Sequence, residues 1–282
     1  MSSIMIQGTT SSAGKSLMCT GLCRIFKEDG YKVYPFKSQN MSSKFYITEE
    51  GKKISVAQAL QARAAGLAPS HHMNPILLIP NSDSGSMVVV NGEETESMAA
   101  RDYFKFRPTL KEMVKEKYKD VESQNDIVVI EGAGSPAEIN LRKDDIVNMG
   151  MAEIADAPVL LVTDIDRGGS FAALYGTVML LEPHERARIK GMIINKFRGD
   201  KTLLEPGIKM IEELLNIPVV GVIPYISLEL VDEDSLIDRN RGPKGEAENL
   251  EEEELELKKL AKGIRENMDM EYIYNIMGLQ ND

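Results

Sequence analysis

The sequence predicts an α/β fold of the phosphate-loop NTPase type, a three-layer αβα sandwich built on a mostly parallel sheet. Three observations lead there. Short apolar, β-branched runs recur along the chain between polar or glycine-rich loops. Helical stretches alternate with them, as right-handed βαβ units require. The first run, residues 3–7, feeds a glycine loop that opens a helix with Gly-Lys-Ser.

Each element has its own warrant. After the first strand a helical pattern runs from Lys15 to about Asp29, and Gly30 stops it. Residues 31–37 read as a second strand. Residues 54–66 are rich in Ala, Gln and Leu and are closed by Gly66, which predicts a helix. Residues 110–119 have the pattern of an amphipathic helix. Residues 126–131 (DIVVIE) are β-branched through their middle, as strands buried on both faces are. Residues 159–164, 191–195 and 219–223 are of the same kind. Each follows a helical segment, at 145–155, 171–181 and 204–215. The polar stretch 232–256 holds Gly-Pro and a glutamate run, and reads as a solvated linker or an acidic helix start. Two amphipathic segments follow, 255–265 and 270–277. The expected plan is a main domain over 1–236, an acidic linker over 237–254 and a helical tail over 255–282.

The chain has 282 residues, room for one large α/β domain or two smaller ones. Its composition, 43% hydrophobic and 27% charged, excludes a wholly disordered chain. The net charge of -11 gives no general affinity for nucleic acid, and seven glutamates between Glu246 and Glu256 account for most of it. No apolar run approaches a membrane span, and no secretory leader is expected. Cys19 and Cys23, four apart in a helix, are poorly placed for a disulfide and read as reduced thiols of a cytoplasmic protein.

The phosphate loop comprises Gly8, Thr9, Thr10, Ser11, Ser12, Ala13, Gly14, Lys15 and Ser16. Backbone N–H groups converging at a helix N-terminus suit a polyphosphate, and glycine lets the backbone approach it. Lys15 supplies a point charge for the β- and γ-phosphates, and the Ser16 hydroxyl completes a Mg2+ shell. Five residues separate the two glycines instead of the usual four, so Thr9 stands near the place of the customary first glycine.

Ligands of parallel sheets gather at the carboxyl ends of the strands, and the other polar candidates stand there. Glu131 either holds Mg2+, directly or through water, or is an exposed acid on a glycine turn. Lys37 either neutralises a transferring phosphoryl group or is a surface lysine. Arg167 either contacts an anion or pairs with Asp164 or Asp166. Asn195 carries an amide able to pair with a purine edge. Residues 140–148 are either a specificity loop or the cap of a helix through Asp144 or Asp145. His71, His72 and His184 show no metal-ligand spacing and read as surface or structural.

Several strings resemble one family closely: QGTTSSAGKS, PFKSQNMS, AQALQARAAG, MNPILLIPNSDSGSMVVVNG, EGAGSPAEINLRKDDIVNMG and NKFRGD. Over residues 3–236 the chain resembles the N-terminal synthetase domain of cobyric acid synthase. The resemblance implies the dethiobiotin-synthetase-like branch of phosphate-loop folds. It also implies ATP-dependent amidation, through an acyl phosphate, of the b, d, e and g carboxylates of adenosylcobyrinic acid a,c-diamide in cobalamin biosynthesis. Carried over by position, Lys15, Lys37 and Asp145 are catalytic, with Asp145 essential for turnover. Gly8 to Ser16, Asn195 and Pro224 hold ATP. Gln39, Asn40, Asn140, Arg142 and Asn148 face the corrinoid. Ser16 and Glu131 hold Mg2+. An aspartate that joins the metal shell in the dethiobiotin branch is missing from the second helix, and Gln58 stands near its place.

The family usually continues into a class I glutamine amidotransferase domain with a nucleophilic cysteine. Cys19 and Cys23 follow the phosphate loop and do not match it, while LKKLAKGIRENMDMEYIYNIMG resembles the family's extreme C-terminus. Nitrogen is therefore expected from free ammonia or from a separate class I glutaminase subunit, unless synthase activity has been lost. A second copy of the chain, in a homodimer, is the other partner considered. The alternative on the same fold is an ATP-binding switch protein without amidation activity. Partition ATPases of this branch carry an extra lysine early in the loop, and residues 9–13 have none.

Overall fold

The β-branched runs become six parallel strands of one sheet in a computed structural model that describes residues 2–81, 85–228 and 246–279. In chain order the elements open with β1 (Ser2–Gly8), α1 (Lys15–Glu28) and β2 (Val33–Phe36). β3 (Gln39–Met41), β4 (Phe45–Ile47) and β5 (Lys53–Ser55) lead into α2 (Val56–Ala64). β6 (Ile76–Pro80), β7 (Gly85–Val90) and β8 (Glu93–Ala99) precede α3 (Ala100–Ser123) and β9 (Ile127–Glu131). Next come α4 (Met149–Ile154), β10 (Val159–Asp164), α5 (Ser170–Leu180) and α6 (Pro183–Arg186). β11 (Ile189–Phe197), α7 (Glu205–Leu215) and β12 (Val219–Pro224) complete the alternation, and α8 (Glu246–Arg265) and α9 (Met270–Ile276) follow.

The main sheet has the order β12-β11-β10-β1-β9-β2. β2 and β9 lie to one side of β1 and β10 to β12 to the other. The loop after β1 therefore opens at the sheet's switch point, where α/β folds bind ligands. Strand alternation divides the core into two layers. Ile4 and Ile6 face α1, α2, α8 and α9, and Met5 faces α3, α4, α5 and α7. Burial on both faces is what makes these strands read as unbroken apolar runs. No helix among the described residues is long and apolar enough to cross a membrane.

Three features depart from the sequence expectation. A second sheet, β3-β6-β7-β8, was not anticipated. Its edge strand β8 is exposed at Glu93, Glu94, Thr95, Glu96 and Ser97, a polar edge without apolar alternation. α3 extends well beyond 110–119, with Pro108 inside it, a residue that normally signals a helix end. The helix expected over 145–155 begins only at Met149.

The acidic stretch resolves in favour of a helix start. Residues 246–254 belong to α8, and 237–245 lie outside the described residues. α8 packs on α1 at Gly21, where a Cβ would meet Ile264 Cδ1 at 2.2 Å. The glutamate run also grips its neighbours. Glu254 accepts from Nη1 and Nη2 of Arg24 on α1 at 2.9 and 2.5 Å, and Glu253 accepts from Nη2 of Arg63 on α2 at 2.9 Å. Beyond α8, Met268 forms a β-bridge with Gly221 of β12.

Overpacking this seam is expected to be costly. Gly21→Leu should lower stability by about 1–3 kcal/mol, read as a lower urea midpoint. Gly176→Ala, within α5 and with nothing within 4 Å of the added methyl, serves as the comparison.

Candidate active site

The loop between β1 and α1 turns through Gly14, whose φ is 102° and whose Cβ would lie 2.1 Å from Asn195 Nδ2. Only glycine satisfies both the angle and the approach. Side-chain donors occupy the loop's carbonyls. Lys15 Nζ donates to Thr10 O at 2.9 Å and to Ser11 O at 3.1 Å, and reaches Gly134 O at 2.9 Å. Lys196 Nζ donates to Ser12 O at 2.8 Å, and Asn195 Nδ2 to Ala13 O at 3.0 Å. Thr9 is tied to Thr163 through its hydroxyl at 3.2 Å. The Thr9 N–H donates to Val162 O at 2.9 Å and the Ala13 N–H to Thr10 O at 3.4 Å, while the turn into α1 places backbone N–H groups at the positive end of the helix, where anions bind.

Beside the loop lies a buried carboxylate with four donors around it. Glu131 Oε1 accepts from Ser16 Oγ and from Lys37 Nζ, each at 2.7 Å. Glu131 Oε2 accepts from Gln61 Nε2 at 2.5 Å and from Gln58 Nε2 at 3.4 Å. Glu131 is 1% exposed and Lys37 is 3% exposed, which removes the exposed-acid and surface-lysine alternatives. Burial pushes the Glu131 carboxyl up. The Lys37 charge and the hydrogen bonds from Lys37, Ser16 and Gln61 outweigh burial and hold it below the ordinary carboxylate range. Gln61 was missed in the sequence, although it follows Gln58 by one helical turn and so shares its face of α2. Cys19 and Cys23 are buried, and burial followed by the Glu131 charge pushes both thiols up, so neither is poised as a nucleophile.

Two cavities meet at this cluster. One of about 580 Å³ extends from Lys15, Ser16, Lys37 and Glu131 to Leu78 and Val88 of the second sheet and to Tyr103 and Arg107 of α3. The other, of about 370 Å³, lies between Leu17 and Thr20 of α1, the strand-end residues Asn195, Pro224 and Tyr225, and Leu260 of α8. Ser16 lines both.

Residues 4–236 match the model of the CobQ/CobB/MinD/ParA nucleotide binding domain. The chain belongs to this family. It is 63% identical to the cobyric acid synthase of Alkaliphilus metalliredigens (strain QYMF) over 235 residues, 83% of this chain and 47% of that protein. The cobyric acid synthase of Caldanaerobacter subterraneus subsp. tengcongensis is 61% identical over 236 residues, 84% of this chain and 46% of that protein. The chain thus spans about half the length of the curated relatives it matches.

Within this CobQ/CobB/MinD/ParA domain the remaining candidates divide. Asn195 and Pro224 line the smaller cavity, although the Asn195 amide N–H is committed to bracing the loop. Arg167 pairs with Asp164 at 3.7 Å, and Asp164 also takes Lys196 at 2.8 Å. Gln39, Asn40 and Asn148 line the larger cavity. Gln39 accepts from the Tyr103 hydroxyl, and Asn148 Nδ2 donates to Ala133 O at 2.6 Å. The histidines line neither cavity.

Three candidates have surroundings that the sequence did not indicate. Asp145 is not an open acid. Its Oδ1 accepts from the Val147 N–H at 2.8 Å and its Oδ2 from the Gly150 N–H at 2.9 Å, with the Asn148 N–H at 3.2 Å from both. It caps the entry to α4 and also lines the larger cavity. Arg142, although it lines the larger cavity, is held by Glu182 at 2.9 Å and by Leu180 O at 2.6 Å. Asn140 is exposed on the single turn Ile139–Leu141 and does not line the cavity.

Removing the Asp145 carboxylate should cost about 0.5–2 kcal/mol, so Asp145→Ala is expected to unfold earlier in urea. Glu131→Gln leaves Lys37 buried without its counter-charge and should cost about 3–5 kcal/mol at neutral pH. Because the folded carboxyl lies below its ordinary value of about 4.5, its contribution is present above that pH and is lost as pH falls through the folded value. The gap between wild type and Glu131→Gln should therefore narrow on acidification, measured by urea unfolding along a pH series.

Proposed function

We propose that this chain is an ATP-dependent amide ligase of cobyric acid synthase type, acting in the cytoplasm on the b, d, e and g carboxylates of adenosylcobyrinic acid a,c-diamide to give cobyric acid. The observation that carries the reading is the sharing of Ser16 by two cavities, one beside the strand-end residues expected at adenine and one larger, with apolar residues such as Leu78, Val88 and Met98 among its polar ones. In this reading ATP occupies the smaller cavity with its phosphates on the loop, and the acid occupies the larger. The names of the similar proteins support it.

The chemistry follows from the poor reactivity of a carboxylate, whose leaving group would be oxide. Its oxygen attacks the γ-phosphorus, the bond from phosphorus to the ADP oxygen breaks, and an acyl phosphate forms. The ammonia lone pair then attacks the acyl carbon, the bond to the phosphate oxygen breaks, and phosphate leaves with the surplus proton passing to solvent. Lys15 follows the charge of the transferred group, and Lys37, oriented by Glu131, neutralises it from the other side of the loop. Asp145 fixes the backbone of residues 147–150 and so the place of Asn148 in the wall. The remaining work is positioning.

Ser16 and Glu131 offer the hard oxygens that Mg2+ prefers, and Gln58 Oε1, buried without a hydrogen-bond partner among the described residues, is a third in the same cluster. Bound there, the ion would offset charge on the β- and γ-phosphates. Nitrogen comes as free ammonia or from a separate class I glutaminase subunit.

Purified chain with ATP, Mg2+, ammonium and the a,c-diamide should release ADP in step with amide formed, detected by mass spectrometry of the corrinoid. Glutamine should replace ammonium only when a class I glutaminase is added. Lys15→Ala should lower turnover at least about 100-fold. Failure to amidate any cobyrinic acid derivative with ammonium overturns the reading, and ATP hydrolysis indifferent to corrinoid points to the switch protein instead.

A further inference from the structure

Helix α3 contributes a buried cation to the wall of the larger cavity. Arg107 is 5% exposed and lines that cavity. Its Nη2 donates to the carbonyl of Leu141 at 3.1 Å and to that of Lys143. Its Nε–H is buried and has no acceptor among the described residues. The Phe104 ring lies 5.1 Å from the guanidinium carbon, and no carboxylate of the described residues forms an ion pair with it. The acids nearby have other duties. Glu182 and Glu185 face Arg142 at 2.9 and 3.7 Å, Glu138 accepts from the Ser135 N–H at 3.1 Å, and Asp145 caps α4.

A guanidinium carries its charge here, and although Glu138, Asp145 and Glu185 line the same cavity, the direct contacts of Arg107 are all neutral. Two carbonyls and a ring face recover part of the cost of its burial. A strap that merely held residues 141–143 would need N–H donors and no charge. The charge gains a purpose if the anion arrives with the ligand, since the guanidinium fork matches a carboxylate better than any other side chain does.

We propose that Arg107 anchors a second carboxylate of the substrate, distinct from the one that receives the phosphoryl group. The inference rests on the proposed function only in taking the substrate to be a polycarboxylate. One carboxylate meets Lys15 and Lys37 at the loop while another meets Arg107 on α3. An amide cannot replace the second, because it brings no charge. Each amidation therefore removes one anion that Arg107 could hold, so the ring is held less tightly as amidation proceeds, down to the single carboxylate that the reaction leaves.

The test is equilibrium binding by ultrafiltration, read from the visible colour of the corrinoid. Two probes are used, cobyrinic acid a,c-diamide and cobinamide, which has no free carboxylate. Wild type should hold the acid at least about ten-fold more tightly, and rising KCl should erode that preference. Arg107→Gln keeps N–H donors for the two carbonyls and loses the charge, and it should bind both probes alike with ATP affinity unchanged. A folded Arg107→Gln with the wild-type preference overturns the anchor. Where that variant does not fold, Arg107→Lys decides: a several-fold smaller preference supports the anchor, and an unchanged one overturns it. Wild type that binds both probes equally overturns the anchor alone. Wild type that binds no corrinoid overturns the proposed function and the anchor together.

Discussion

One buried carboxylate holds the site together. Glu131 ends β9, between β1 and the edge strand β2, and receives Ser16 from α1, Lys37 from the residue after β2, and Gln58 and Gln61 from α2. A carboxylate with so little exposure is tolerable only when its lone pairs are satisfied and a cation balances it. Meeting those needs fixes where α1, α2 and β2 stand relative to β9. The loop that precedes Ser16 inherits that position, and so do the two cavities on either side of it.

The parallel strands and the loop were legible in the sequence because each is a contiguous signal. A strand buried on both faces is apolar throughout, and a phosphate loop is a short string between a strand and a helix. Lys37 and Glu131 were legible as strand-end residues, but which of two readings held was not. Their pairing spans 94 residues, and burial was the property that decided it. Asp145 was open to two readings for a related reason. An acid before a helix caps it or faces a ligand depending on where the helix begins, and that is set by packing four residues further on. β8 and the first turns of α3 were hidden by a polar edge and by Pro108, features that usually mark a loop or a helix end.

The acidic run shows the same limit of composition. Counted along the chain it is a block of negative charge, most simply read as solvated. Two of its members instead reach arginines 190 and 230 residues away, on α2 and α1. The helices they grip are those that carry Gln58 and Gln61 and the phosphate loop's own helix. α8 also supplies Leu260 to the smaller cavity. The tail is thus part of the wall of the nucleotide-binding domain's smaller cavity, and its charge is a docking device rather than a solubilising one.

Lys15 sets a competition within this frame. Its ammonium holds the carbonyls of Thr10 and Ser11 in the loop and that of Gly134 beyond β9. A phosphate oxygen is the stronger acceptor, since charge-assisted hydrogen bonds are roughly twice as strong as neutral ones. Any phosphate that takes Lys15 therefore takes it in part from Gly134, which lines the larger cavity. Glu131 draws on a different set of donors, Lys37, Ser16 and the two glutamines. The same ammonium thus braces the phosphate loop and touches a residue in the wall of the larger cavity.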